Sequence, residues 1–234
     1  MHDEFRSIPK RVLAVCGSPR KGNTESILTF IQGKLTCYAD INFEMIRLRE
    51  KEVGFCRSCF KCISKRTCLG NEDDMPLEIL PKMLESDLIL FASPSYYGTV
   101  TGLMKNFMDR CLPLQNLYSP GPLRGRPAVN IVIYGRSAGI HLTHATLDYW
   151  CLTLGMNVIR NYQFKAMDKN DASKDPSIKR QSEEIARTIY EYLVSTSKDP
   201  LYEQYPRIIV SENALTSAWK LTEQDVDKTM IPEK

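Results

Sequence analysis

The sequence lacks several features that would define its class at once. Its formal net charge is only +3 over 234 residues, too small to predict binding to nucleic acid or to an anionic membrane. No apolar run reaches the length of a membrane span, and the first residues lack the basic-then-apolar pattern of a secretory signal. The strict dinucleotide signature G-x-G-x-x-G is also absent. These absences predict a cytoplasmic protein with no nucleic-acid and no membrane partner.

Cysteine, in contrast, is abundant and unevenly placed. Four of the eight cysteines, Cys56, Cys59, Cys62 and Cys68, form the run C-x2-C-x2-C-x5-C. Gaps of two residues strain a disulfide, whereas neighbouring thiolates can bind separate corners of one compact inorganic cluster. The run is related to the bacterial ferredoxin pattern C-x2-C-x2-C-x3-C-P, but its last gap is longer and no proline follows. The spacing favours an iron–sulfur cluster.

Other interpretations of this run stay open. A structural zinc site is the main alternative, although such sites usually place two ligand pairs well apart, and no histidine lies near this run. Redox-active or inert thiols are a further alternative. Arg57 and Lys61 lie among the cysteines, where cations would stabilise a negatively charged cluster. Basic residues in a loop are equally compatible with simple solvation.

Apolar strands and amphipathic helices alternate along the chain. This alternation predicts an α/β protein with a flavodoxin-like, doubly wound parallel sheet of five strands in the order 2-1-3-4-5. We assign this domain to residues 1–196 and a C-terminal extension to residues 197–234. Thr99 is predicted to cap the helix after the third strand. The predicted strands are 11–16, 42–48, 88–92, 128–133 and 156–159.

The loop after the first strand, G-S-P-R-K-G-N-T at 17–24, nearly spells a mononucleotide P-loop. Asn23 replaces the lysine of that motif, which argues against a triphosphate ligand. A single phosphate needs only hydroxyls, backbone N–H groups and a helix N-terminus. A plain capped turn is the structural alternative. The candidate ligands in this loop are Ser18, Pro19, Arg20, Asn23 and Thr24.

Two further loops follow predicted strands and complete a candidate cofactor site. The second loop, at 93–98, can bind a flat aromatic ring, because its backbone can bond the polar edge of the ring and an aromatic side chain can stack on the face. Tyrosines at sheet ends also often pack there for burial alone. The third, at 135–139, is glycine-rich enough for close approach to a ligand. The candidate residues of these loops are Pro94, Ser95, Tyr96, Tyr97, Gly98, Gly135 and Arg136.

Three of these segments carry a resemblance to a known family. The segments 17–24, 93–98 and 103–110 resemble those of the NADPH-dependent FMN reductase superfamily. Together with the four cysteines and the Asp-Asp-Met that follows at 73–75, the chain resembles the iron–sulfur flavoproteins of anaerobic microbes. The resemblance covers residues from about 10 to 195 and leaves the C-terminal extension uncovered.

The resemblance implies one FMN and one [4Fe–4S] cluster per subunit, in a homo-oligomer (dimer or tetramer) that brings the two groups together. The first loop would hold the phosphate and ribityl chain, and the second would hold the ring. The hypothesis is an electron-transfer oxidoreductase without a catalytic acid–base pair, whose partner is ferredoxin or NAD(P)H. The alternative is an NAD(P)H-dependent FMN or quinone reductase with a structural cysteine loop, and a third class is a non-enzymatic carrier.

Overall fold

A parallel sheet forms the centre of the computed structural model, which describes residues 9–38, 40–65, 67–68, 71–115, 121–135 and 139–196. Its strand order, β2-β1-β3-β4-β5, confirms the predicted flavodoxin-like α/β fold. Arg136 and the predicted extension at 197–234 lie outside the described residues. The strands are β1 (Lys10–Cys16), β2 (Ile41–Arg47), β3 (Leu88–Pro94), β4 (Pro127–Tyr134) and β5 (Asn157–Lys165).

Helices cover both faces of the sheet because its central strands are apolar on both sides. Along β1, Leu13 and Val15 pack into one apolar layer, whereas Val12 and Ala14 pack into the other. The first layer is closed by α3 (Leu80–Glu85), α4 (Gly102–Arg110) and α5 (Ile140–Thr153). The second is closed by α1 (Asn23–Leu35), α6 (Asp171–Lys174) and α7 (Pro176–Thr196). A five-residue helix, α2 (Lys61–Lys65), lies within the cysteine segment.

Two details of the predicted elements are wrong. The cap of α4 is Thr101 and not Thr99, because the Thr101 side chain accepts a hydrogen bond from the Met104 N–H. The fifth strand, β5, continues to Lys165 instead of ending at residue 159. This strand lies at the edge of the sheet and is largely exposed, so its polar residues do not form the continuous apolar run that marks a buried strand. None of the helices in the described ranges has the length and apolar character needed to cross a bilayer.

Candidate functional site

An open cleft lies at the carboxyl ends of β1, β3, β4 and β5. Its cavity volume is about 150 Å³. We call it the strand-end cleft. Eight of the twelve predicted cofactor residues line it: Ser18, Arg20, Asn23, Thr24, Pro94, Ser95, Tyr96 and Gly135. Pro19, Tyr97 and Gly98 are described but lie outside this lining, which also contains Ile133, Ala166 and Met167.

The N-terminus of α1 opens into this cleft in a form suited to an anion. Gly22 precedes the helix with extended backbone and supplies no side-chain cap, so no side chain there competes for the first N–H groups. Thr24 in the first turn is buried and lines the cleft. The Ser18 hydroxyl donates to the Arg20 carbonyl at 2.8 Å, which shapes the loop in front of the helix. This arrangement can accept a phosphate group.

Asn23 also performs a structural task that the sequence did not reveal. Its Nδ2 donates to the Asp168 carbonyl at 2.9 Å, and its Oδ1 accepts from the Ala172 N–H at 3.1 Å. The amide thereby fixes the segment after β5, including Met167, against the cleft. Ala166 and Met167 were missed because the predicted strand ended six residues too early, so this segment was not recognised as a strand end. A direct contact of Asn23 with a phosphate stays a prediction.

The second loop ends in a tight turn. The N–H of Tyr96 donates to the Thr99 carbonyl at 2.9 Å, and the Thr99 N–H donates back at 3.1 Å. The two central residues, Tyr97 and Gly98, have positive φ angles of 49° and 79°, as in two-residue turns of type I′. The Tyr97 side chain is fully exposed, whereas Tyr96 borders the cleft.

Two glycines let the second loop meet the start of α5. A Cβ atom on Gly139 would lie 2.2 Å from the Gly98 Cα, so no larger residue fits there without moving the backbone. Gly139 has φ +87°, a conformation that glycine adopts readily. A hydroxyl–hydroxyl contact of 2.8 Å between Ser95 and Thr143 joins the same two segments.

Thr101 connects the first two loops of the cleft. Its buried hydroxyl donates to the Gly17 carbonyl at 2.6 Å and accepts from the Met104 N–H at 3.0 Å. The Thr101 N–H donates to the Ser93 hydroxyl at 3.2 Å. A Cβ on Gly17 would lie only 2.8 Å from the Met104 Cβ. The first loop therefore rests directly on the N-terminus of α4.

The four predicted metal ligands, Cys56, Cys59, Cys62 and Cys68, line a second, shallow depression, which we call the cysteine hollow. Ser58 and Phe60, between the first three cysteines, have positive φ angles of 50° and 54°, which turn the chain so that successive thiols face the same space. Other residues of its lining are Phe55, Arg57, Asn71, Arg110 and Leu112.

The donor set of the cysteine hollow suits a thiolate-bound cluster. Burial, followed by the charges of Cys68, Cys59 and Cys56, raises the pKa of Cys62 to about 11, so a bound cation is needed to hold this sulfur as a thiolate at neutral pH. Among the described residues, no three metal-ligating side chains converge on a position for a metal ion. Four sulfurs distributed around one hollow fit a group with several metal corners.

Helix α4 connects the two sites. It begins beside the second loop at Gly102 and ends at Arg110 in the lining of the cysteine hollow. Its nine residues correspond to a length of about 13 Å. No described residue lines both the strand-end cleft and the cysteine hollow.

A doubly wound sheet with an open cleft at the carboxyl ends of its strands defines a flavodoxin-like protein. The chain belongs to the NADPH-dependent FMN reductase family, which it matches over residues 10–171. Membership of this family supports FMN as the ligand of the strand-end cleft and places the chain among flavin-dependent oxidoreductases.

Proteins of similar sequence confirm the resemblance to iron–sulfur flavoproteins. An "Iron-sulfur flavoprotein" of Archaeoglobus fulgidus is 34% identical over 126 residues, which are 53% of this chain and 54% of that protein. One from Methanocaldococcus jannaschii is 26% identical over 195 residues, 78% of this chain and 96% of that protein. The chain thus spans about half the length of the Archaeoglobus relative and nearly all of the Methanocaldococcus one.

Solved structures show the same fold at low sequence identity. A "flavone reductase" has a TM-score of 0.63 and 20% identity, with 84% of this chain and 66% of that one covered. An "NAD(P)H:quinone oxidoreductase from Methanothermobacter marburgensis" has a TM-score of 0.61 and 13% identity, with 77% and 96% covered. At this identity the comparison concerns the fold alone.

Proposed function

We propose that this protein is an electron-transfer oxidoreductase that holds FMN in the strand-end cleft and a [4Fe–4S] cluster on Cys56, Cys59, Cys62 and Cys68. The observation that carries the proposal is that all four cysteines line one hollow in a chain of the FMN reductase family. A cluster accepts one electron at a time and FMN one or two, so the pair would couple a one-electron carrier to a two-electron acceptor.

The chain's own residues bind and orient the flavin in this proposal. The N–H groups at the start of α1, with the hydroxyls of Ser18 and Thr24, receive the phosphate, and Arg20 supplies a positive charge. Pro94, Ser95 and Tyr96 border the space for the ring. Arg20 is the one charged side chain among the described residues of this lining. The lining residues therefore bind the flavin and keep water out, rather than move protons.

The surface around the cysteine hollow supports a protein electron carrier as partner. Phe55 is 80% exposed and Phe60 50% exposed, an unusual position for two large apolar side chains. Arg57 and Lys61 are exposed in the same segment. Apolar residues among cations suit an acidic one-electron carrier such as ferredoxin, because opposite charge speeds the encounter of two proteins.

Cofactor analysis of two cysteine variants tests the proposal. Anaerobically purified wild-type protein should contain iron, sulfide and FMN. Cys59→Ser should lose iron but keep FMN, whereas Cys37→Ser, which changes an exposed cysteine outside the hollow, should keep both. A Cys59→Ser protein with full iron content would refute the ligand assignment.

An NAD(P)H-dependent FMN or quinone reductase with a zinc-bound cysteine loop is the second candidate, favoured by the description of the family. It predicts zinc in place of iron. It also predicts that NADPH reduces the flavin in Cys59→Ser as fast as in the wild type. Stopped-flow mixing of both proteins with NADPH and with reduced ferredoxin distinguishes the two functions, because only the first requires the hollow for transfer from ferredoxin.

We further propose that a second copy of the chain covers an exposed face of α5. Leu142, Tyr149 and Leu152 lie on this face and are 65%, 70% and 68% exposed. Leu142 lies next to the turn that carries the exposed Tyr97. Together with Tyr97, the three residues of α5 expose on the order of 600 Å². This area is most of the roughly 800 Å² that each partner buries in a standard interface.

Light scattering on a size-exclusion column tests this interface. The wild type should elute as a dimer or larger homo-oligomer, and Leu152→Glu should shift it toward the monomer. Val194→Glu changes an exposed apolar residue of α7, on the opposite face of the sheet, and should leave the mass unchanged. Equal masses for wild type and Leu152→Glu would contradict the assignment of this face.

A further inference from the structure

Arg110, the last residue of α4, is one of the largest fully buried side chains among the described residues, with 2% of its surface exposed. Its Nη1 donates to the Gly54 carbonyl at 2.6 Å and to Asp73 Oδ2 at 2.7 Å. Its Nη2 donates to Asp73 Oδ1 at 2.9 Å. A buried charge of this kind is costly unless acceptors match its donors, and both Nη atoms have such acceptors here.

The two residues that receive these bonds flank the cysteine segment. Gly54 precedes Cys56 and Asp73 follows Cys68. Asp73 also accepts the Gly54 N–H at 2.8 Å and the Met75 N–H at 3.1 Å. The guanidinium and this carboxylate therefore clamp both ends of the cysteine segment to the end of α4.

The same guanidinium lies beside a predicted metal ligand. Arg110 and Cys68 both line the cysteine hollow, so the positive charge of Arg110 faces the space around that sulfur. Hydrogen bonds and positive charge at a ligating sulfur stabilise the reduced, more negative cluster and so raise its reduction potential. A lysine could not replace Arg110, because a single ammonium group cannot match the fork that reaches the Gly54 carbonyl and both carboxylate oxygens of Asp73.

We propose that Arg110 is the positioning residue of the cysteine site: it holds Cys68 in place as the fourth ligand and raises the reduction potential of the cluster, while Asp73 orients its guanidinium. The inference rests on the proposed function, because it requires a cluster on the four cysteines. It adds a residue that lies forty-two positions beyond Cys68 and outside the cysteine run.

The test compares Arg110→Met and Arg110→Lys with the wild type after anaerobic reconstitution with iron and sulfide. The readouts are iron per chain, the midpoint potential from a redox titration followed by electron paramagnetic resonance, and the rate of iron loss to a chelator. We expect a lower potential in Arg110→Met and iron loss about 10- to 100-fold faster in both variants. Arg110→Lys keeps a nearby charge, so its potential should shift less.

Lys105→Met is the matched control. It removes an exposed cation from the same helix, where Lys105 pairs with Asp109 at 2.6 Å, and should match the wild type in all three readouts. Arg110 variants with the wild-type potential and release rate would overturn the inference, even if their folds were less stable. Should Arg110→Met not fold, Arg110→Lys and Asp73→Asn decide by the same readouts. A wild-type protein without iron would overturn the proposed function itself.

Discussion

The contact between Gly98 and Gly139 gives the sharpest test of how the cleft is built. Replacing Gly139 by alanine places a Cβ 2.2 Å from the Gly98 Cα. Bringing that contact to 3.4 Å requires a movement of about 1.2 Å between two backbone segments, because neither atom belongs to a flexible side chain. The φ of +87° at Gly139 adds about 1–2 kcal/mol for any L-residue with a side chain.

Both effects act on the loops that we assign to the flavin ring. We expect Gly139→Ala to lower the free energy of unfolding of the flavin-free protein by at least about 1–2 kcal/mol. A similar loss of binding energy corresponds to an FMN dissociation constant at least about tenfold higher. Urea unfolding measures the first quantity, and titration of FMN fluorescence measures the second.

Gly102→Ala makes the same chemical change at the first residue of α4. A Cβ there has no atom within 4 Å, and the φ of Gly102 is not positive. Since alanine is the better helix former, this variant should be as stable as the wild type or up to about 1 kcal/mol more stable. A Gly139→Ala protein that binds FMN as tightly as Gly102→Ala would refute our account of the cleft.

Three further predictions concern the supports of the cleft. Thr101→Val removes the cap of α4 and the donor to the Gly17 carbonyl, so urea unfolding should show a loss of about 2–3 kcal/mol, whereas Thr101→Ser should lose less than about 1 kcal/mol. Asn23→Ala releases the backbone after β5 and should weaken FMN binding in fluorescence titrations, while Thr36→Ala, at the exposed end of α1, should not. Burial raises the pKa of Glu25, but the hydrogen bond from Arg47 and neighbouring positive charge outweigh it, so the pKa lies below 4.5 in the folded protein. The stability difference between wild type and Glu25→Gln should therefore be largest above pH 4.5 and shrink as the pH falls through the lowered pKa; a difference independent of pH would contradict this assignment.

The sequence predicts the centre of the fold well because burial on both faces leaves a clear pattern. The strands β1 and β3 contain continuous apolar runs, and a single polar residue, Asn130, interrupts the apolar residues of β4. The alternation with helices then restricts the sheet to very few orders. β5 is an edge strand with exposed polar residues, so its local pattern does not mark its end. Because the predicted strand ended at residue 159, Met167 was not predicted to line the cleft.

The long-range supports of both sites left no local pattern to find. Thr101 reaches Gly17 across 84 positions, and Arg110 reaches Gly54 across 56. A helix cap and a basic residue at a helix end are common in any sequence, so neither indicates its distant partner. Short motifs therefore predicted which loops form each site, whereas only the folded chain shows which residues hold those loops in place.

The position of these two supports on one short helix separates the two sites energetically. Thr101 and Arg110 lie at opposite ends of α4, about 13 Å apart, and their side chains donate hydrogen bonds to different residues: Thr101 to Gly17, and Arg110 to Gly54 and Asp73. Residues this far apart usually contribute independently, so the effects of Thr101→Val and Arg110→Lys on unfolding should add to within about 0.5 kcal/mol. Thr101→Val should also lose FMN without losing iron, because its contacts lie at the cleft. A larger coupling energy in the double-mutant cycle would mean that α4 transmits strain between the sites.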